Sequence, residues 1–198
     1  MNSSGLPLRI IAGLGNPGPE HQLTRHNAGF WFVDLLAQRH GGEFRDYRKY
    51  SGETARISVA GQELLLLKPT TYMNRSGVSI RQLSDFFKIP AAQILVAHDE
   101  LDLQVGTVRL KHGGGHGGHN GLRDCLTHIG EDFWRLRIGI GHPGNKAEVL
   151  DYVLSRAPRI EEDMILETVA YAADCLPLLL EQGAERAMTR LHSRGGRS

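Results

Sequence analysis

The stretch Leu8-Arg9-Ile10-Ile11-Ala12-Gly13-Leu14-Gly15-Asn16-Pro17-Gly18-Pro19 decides the fold. Its first seven residues are almost all apolar, and a run rich in glycine and proline cuts them off. A short apolar run bounded in this way is a buried strand leading into a rigid loop. Thr24 then offers an N-cap, and Ala28, Phe32, Leu35 and Leu36 recur at helical spacing as far as Gly41-Gly42. A buried strand followed by an amphipathic helix is the opening of an α/β layer structure.

The pattern continues outward from there. Thr54 to Val59 and Glu63 to Lys68 alternate as strands joined by Ala60-Gly61-Gln62, which predicts a hairpin closed by Pro69. Val78, Leu83, Phe86 and Phe87 predict a second helix ending before Pro90, and Ile94 to Ala97 a strand whose carboxyl end delivers His98-Asp99-Glu100. A strand over Thr107 to Lys111, a helix near Asn120 to Ile129 and a strand over Trp134 to Ile140 follow. Ile160, Met164, Ile165, Val169, Ala172, Ala173 and Leu176 mark one face of a last helix that Pro177 should kink or break. The expectation is a single-domain, three-layer α/β fold with a mixed β-sheet flanked by helices. Its predicted limits are a flexible N-terminus over 1–7, a domain over 8–192 and a flexible basic tail over 193–198.

Composition narrows the function. The net charge of +1, from 23 Lys plus Arg against 22 Asp plus Glu, gives no whole-surface field for a polyanion, so any nucleic-acid contact must be local. Gly106 to Lys146 holds six basic residues, three acids and five histidines, and is the candidate stretch for phosphate. The first residues lack a cationic start and no apolar run approaches the roughly 18 residues that cross a bilayer, so a cytoplasmic protein without membrane contact is expected. Cys125 and Cys175 are far apart without a CxxC partner, which suits reduced thiols.

Three motifs carry chemistry. Gly13-Leu14-Gly15-Asn16-Pro17-Gly18 has the glycine spacing of a dinucleotide fingerprint, but Pro17 and Pro19 keep its loop extended and Asp34 falls inside a helix, where an acid should end a second strand. Six of the ten histidines lie between 98 and 142, and His112, His116 and His119 have helical ligand spacing. Five glycines within 113–118 deny them a rigid frame, so neither a metal nor any other cofactor is expected. The same loop lets backbone approach a bulky ligand, and its His119 and Asn120 are candidate substrate-binding groups. His26 and Asp99, at the ends of separate strand-to-loop junctions, suit a general base and the carboxylate that orients it. No G-x-S-x-G elbow supports a covalent mechanism.

Five segments in order, Gly13 to Gly18, Thr24-Arg25-His26-Asn27-Ala28-Gly29, Pro69 to Gly77, Ala97 to Leu103, and Gly113 to Leu122 with Arg137 to Gly144, together resemble bacterial peptidyl-tRNA hydrolase over about residues 8 to 192. The resemblance implies cleavage of the ester between peptide and tRNA by a water that His26 activates, with Asp99 in support. It assigns Asn16, Asn74 and Asn120 to holding the peptide, the water or the tRNA end, with Asn16 among the catalytic groups. Tyr72 and Met73 become the pocket wall. Lys111, Arg137 and Lys146 become tRNA-phosphate contacts, and the protein a monomer with no obligate protein partner. His21 stands where the family usually has tyrosine and is read as a contact for the tRNA end. Two other readings remain at this point, a non-catalytic RNA-binding module of the same fold and a metal-dependent hydrolase.

Overall fold

The computed structural model describes residues 5–194. Seven strands form one sheet in the order β2-β3-β4-β1-β5-β7-β6: β1 (Ile10–Gly13), β2 (Arg45–Tyr47), β3 (Gly52–Val59), β4 (Gln62–Pro69), β5 (Ile94–Glu100), β6 (Val108–His112) and β7 (Trp134–Gly139). The four central strands, β4, β1, β5 and β7, run parallel. β2, β3 and β6 run against their neighbours at the two edges, so the sheet is mixed as expected. Among the described residues six α-helices accompany it: α1 (Ala28–His40), α2 (Ser76–Phe87), α3 (Asn120–Ile129), α4 (Val149–Val153), α5 (Arg159–Gln182) and α6 (Ala184–Ser193).

The pleat sorts the core into two layers. Ile11, Leu64, Leu66, Leu95, Ala97, Leu136 and Ile138 point to the side of α1, α5 and α6, where Phe32, Leu36 and Val169 meet them. Ile10, Ala12, Leu65, Leu67, Ile94 and Val96 point to the other side, against Ile80 and Leu83 of α2 and Leu122 and Cys125 of α3. Strands buried on both faces have no polar alternation, which is why Leu64 to Leu67 read as one apolar run.

Four differences from the sequence reading have local causes. Thr24 caps a single 3-10 turn over Arg25–Asn27 rather than α1 itself, and its hydroxyl donates to the His21 carbonyl instead of accepting from the helix. The exposed edge strand β2 was not predicted, because Arg45-Asp46-Tyr47 has no apolar face. α5 runs on through Pro177 to Gln182, while Ile160 (78% exposed) and Met164 lie outside its buried face. α6 reaches Ser193, the first residue of the expected flexible tail. Of the two flexible ends expected, residues 1–4 and 195–198 lie outside the described residues, while the Leu6 N–H donates to the Leu179 carbonyl (3.1 Å).

Candidate active site

Parallel strands place their carboxyl ends on one rim, and the loops after β1 and β4 and the end of β5 meet there. Two glycines let them close. A methyl on Gly29 would lie 2.3 Å from the Ala97 carbonyl oxygen, and one on Gly13 would lie 2.2 Å from the Gly29 carbonyl oxygen, so α1 starts in direct backbone contact with β1 and β5. That approach carries His26, three residues before Gly29, onto Asp99, two residues after Ala97. Arg25 fixes the same turn from the other side. It is buried and donates to the carbonyl of Tyr152 and to the hydroxyl of Ser155, with its guanidinium over the Tyr152 ring.

His26 Nδ1 donates to Asp99 Oδ2 at 2.8 Å, while its Nε2 has no hydrogen-bond partner among the described residues and is not sealed from solvent. Nε2 is therefore an acceptor open to water. Burial alone would lower the His26 pKa, but the Asp99 charge and hydrogen bond outweigh it and raise the pKa above the ordinary 6.5. Burial pulls the Asp99 carboxyl upward, yet the facing His26 and His119 hold it well below the usual carboxylate range. The carboxylate is thus charged and fully enclosed, with a donor on each oxygen.

The second donor is His119, whose Nε2 lies 2.8 Å from Asp99 Oδ1. Its Nδ1 accepts from the Leu122 N–H (3.2 Å) as the N-cap of α3. Both ring nitrogens are spent, and only the neutral Nε2–H tautomer satisfies both partners. A contact from His119 to a substrate must then use its ring face or edge. Behind it, His98 donates from Nδ1 to the Asp99 carbonyl (2.7 Å), and burial pushes its pKa down to about 3. Its ring meets His119 edge-on at 5.2 Å.

Asn16 is oriented by the fold. Its Oδ1 accepts from the Met73 N–H (2.8 Å), while its backbone exchanges hydrogen bonds with the Asn27 side chain at 2.9 and 3.0 Å. The Asn16 Nδ2 amide therefore remains a donor without a partner among the described residues. Met73 is buried, Tyr72 is 65% exposed, and Asn74 and Asn120 are exposed. Gly121 brings the two sides together, since a methyl there would meet Met73 Sδ at 2.6 Å and the His119 ring at 3.0 Å. His21 sits in the turn Pro19–His21 with its ring 3.7 Å from Glu20, apart from the groups gathered at Asp99.

The glycine loop takes a route the sequence reading did not foresee. Because β6 is antiparallel, His112 lies beside Trp134 at the rim opposite the site, and residues 113–119 must return to reach Asp99. Gly113, Gly114, Gly117 and Gly118 all have positive φ, which lets the chain fold back in so few residues. Arg135, buried beneath, donates to the carbonyls of Gly114 and Gly115 and fastens the return. Lys111 and Arg137, with Arg135, His116 and Glu100, line a cavity of about 250 Å³ under this loop. Arg137 Nε is 2.8 Å from Glu100. Lys146 is exposed at the turn Lys146–Glu148, outside that lining. A larger cavity, about 650 Å³ between Phe30, Trp31, Lys68 and Leu166, shares Asn16 to Gly18 with the site but contains neither His26 nor Asp99.

The helical ligand set suggested by His112, His116 and His119 is not assembled. His112 pairs with Asp132 (2.7 Å) and stacks on Trp134, and His116 Nδ1 accepts from the Gly118 N–H. Among the described residues, the ligand atoms that gather within 4.8 Å belong to His26, Asp99 and His119.

The sequence missed four supporting residues: Arg25, Asn27, His98 and Arg135. The partners of Arg25, Asn27 and Arg135, among them the carbonyls of Tyr152, Gly114 and Gly115 and the backbone of Asn16, lie far from them in sequence and are supplied only by the fold.

Known proteins resemble the chain in sequence and fold over most of its length. Residues 10–197 match the family model described as peptidyl-tRNA hydrolase. The chain is 56% identical over 187 residues to the peptidyl-tRNA hydrolase of Xanthomonas campestris pv. campestris (strain 8004), covering 94% of this chain and 97% of the relative. It is 53% identical over 189 residues to that of Azotobacter vinelandii, with 94% and 97% covered. A crystal structure of peptidyl-tRNA hydrolase from Acinetobacter baumannii superposes with a TM-score of 0.93 at 47% identity, covering 96% of this chain and 97% of that one.

Proposed function

The chain belongs to the peptidyl-tRNA hydrolase family, and we propose that within it His26 is the general base that activates water against the peptidyl-tRNA ester. The enzyme is a hydrolase that cleaves the ester between peptide and tRNA and so returns tRNA to translation. The observation that carries the assignment is the 2.8 Å bond from His26 Nδ1 to a buried, charged Asp99. It fixes the tautomer so that Nε2 faces water as a lone pair, and it stabilises the imidazolium that forms when water gives up its proton.

The water oxygen bonds to the ester carbonyl carbon, and the bond from that carbon to the terminal ribose oxygen breaks. The proton taken by His26 passes to the departing ribose hydroxyl. The peptide leaves as its acid. Asn16 Nδ2, an unspent donor on a rigid loop, stabilises the developing oxyanion. The exposed amides of Asn74 and Asn120 hold the peptide backbone, with Tyr72 and Met73 as wall. Lys111 and Arg137 take tRNA phosphate in the cavity under the glycine loop, with Lys146 as an outlying contact. The half-buried ring of His21 stacks on the tRNA end, and the ring of His119 adds a substrate contact.

No helix among the described residues is long and apolar enough to cross a membrane. We read the protein as a cytoplasmic monomer that needs no protein partner. The test is to incubate purified protein with an N-blocked aminoacyl-tRNA and its unblocked counterpart and to follow tRNA release. The blocked substrate should be hydrolysed and the unblocked one spared, because amide donors facing its ammonium are mismatched. Equal hydrolysis of both would overturn the assignment of the asparagines.

A further inference from the structure

His26, Asp99 and His119 come from three separately braced elements: the turn Arg25–Asn27, the end of β5 and the cap of α3. We infer that these three side chains form a binding site for Zn²⁺, and that the ion, once bound, switches the hydrolase off. Two imidazoles and a carboxylate are a donor set that zinc takes readily, with a water completing four-coordination.

The geometry is close to what the ion needs. Zinc holds such donors at roughly 2.0–2.2 Å, which sets them roughly 3.4 Å apart around a tetrahedron. Here the two nitrogen-to-carboxylate contacts are 2.8 Å and all ligand atoms fall within 4.8 Å, so shifts of roughly 1 Å suffice. The side chains are 12%, 2% and 10% exposed, so the ion would be largely enclosed.

The hydrogen bonds that build the site also oppose the ion. His119 can ligate through Nε2 only by moving its proton to Nδ1, where it would oppose the Leu122 N–H. Coordination therefore competes with the cap of α3, and zinc binds reversibly.

Inhibition follows from the tautomer of His26 and rests on its reading as the base. Ligation through Nδ1 moves the ring proton to Nε2, the atom open to water. No lone pair then remains to receive the proton of the attacking water.

The experiment uses the full chain without tRNA, titrated with Co²⁺ as a spectroscopic stand-in for zinc, beside His26→Ala, His119→Ala and Asp99→Asn of verified circular dichroism. The parent should bind one Co²⁺ with the strong visible absorption of four-coordination, and Zn²⁺ should displace it. Each variant should bind at least about tenfold more weakly. In parallel, tRNA release should fall with zinc occupancy and return on chelation. No visible band in the parent, or equal affinity in all three variants, would overturn the site. Co²⁺ held by these residues with undiminished turnover would confirm the site but contradict both the inhibition and the base assignment. Failure to bind in a chain that His26→Ala still inactivates would overturn only the zinc site.

Discussion

His26 and His119 stand 5.0 Å apart, ring centre to ring centre, joined through opposite oxygens of the Asp99 carboxylate. Each oxygen accepts one N–H, so Asp99→Asn does more than remove a charge. An amide has one oxygen, and its NH₂ must face one of the two ring donors. The raised pKa of His26 depends on Asp99, so the variant lowers it, and the rise of kcat/KM with pH should move to lower pH. The plateau should drop by about 10²-fold or more, since the imidazolium loses its counter-charge. A pH profile of the free enzyme checks both, and an unmoved rise would reduce Asp99 to a structural residue.

Gly29→Ala tests how His26 is delivered. The methyl would meet the Ala97 carbonyl oxygen at 2.3 Å and the Leu14 nitrogen at 2.5 Å, and neither backbone atom can swing aside. The start of α1 must move away from β5, taking His26 from Asp99. Stability should fall by about 1–3 kcal/mol in urea denaturation, with a lower kcat in the protein that still folds. Parent-like stability and turnover would show that close backbone approach is not what positions the base.

Much of this was legible in the sequence, for identifiable reasons. β1, β5 and the helices α1 and α3 stood out because buried strands are apolar throughout and their helices end at glycine or begin at a capping residue. Asp99 was legible at the carboxyl end of its strand and His26 as the histidine that follows the loop of the first strand. The path of the glycine loop was not, because nothing in Val108 to His112 says that the strand runs against its neighbour. β2 was hidden by its charged, exposed residues. The double use of His119 was also invisible, since its partners, Asp99 and the Leu122 N–H, are set by the tertiary fold.

Lys111 and Arg137 should differ in what they contribute. Arg137 shares its charge with Glu100 at 2.8 Å, whereas among the described residues Lys111 has no acidic partner within 4.0 Å. Lys111→Ala should raise KM with little change in kcat and lower the slope of log affinity against log salt by about 0.7–0.9. Arg137→Ala should change the slope less, because Glu100 is freed at the same time, and Lys146→Ala least. A Lys111→Ala slope equal to the parent's would remove it from the phosphate site.

His98 makes a prediction about acid stability. Its folded pKa is lowered to about 3, while the unfolded chain takes up that proton near the ordinary 6.5. Stability from the neutral ring is complete above about 6.5 and is lost as pH falls toward 3, at about 1.4 kcal/mol per pH unit. His98→Gln, which cannot titrate, should lose one proton's worth of this slope. Urea denaturation at about pH 7 and about pH 4.5 measures it on either side of the histidine midpoint. Parallel losses in variant and parent would mean that His98 is not the group that protonates.

The central claim is that the Nε2 of His26 takes the proton of the attacking water, and His26→Ala tests it most directly. Single-turnover release of tRNA from an N-blocked aminoacyl-tRNA should be measured alongside the affinity for the same substrate. The ring is mostly enclosed and contributes little contact area, so affinity should stay within about twofold of the parent. The rate should fall by about 10²- to 10⁴-fold, the usual worth of a general base. A folded His26→Ala protein that binds and cleaves at close to the parent's rate would contradict the mechanism.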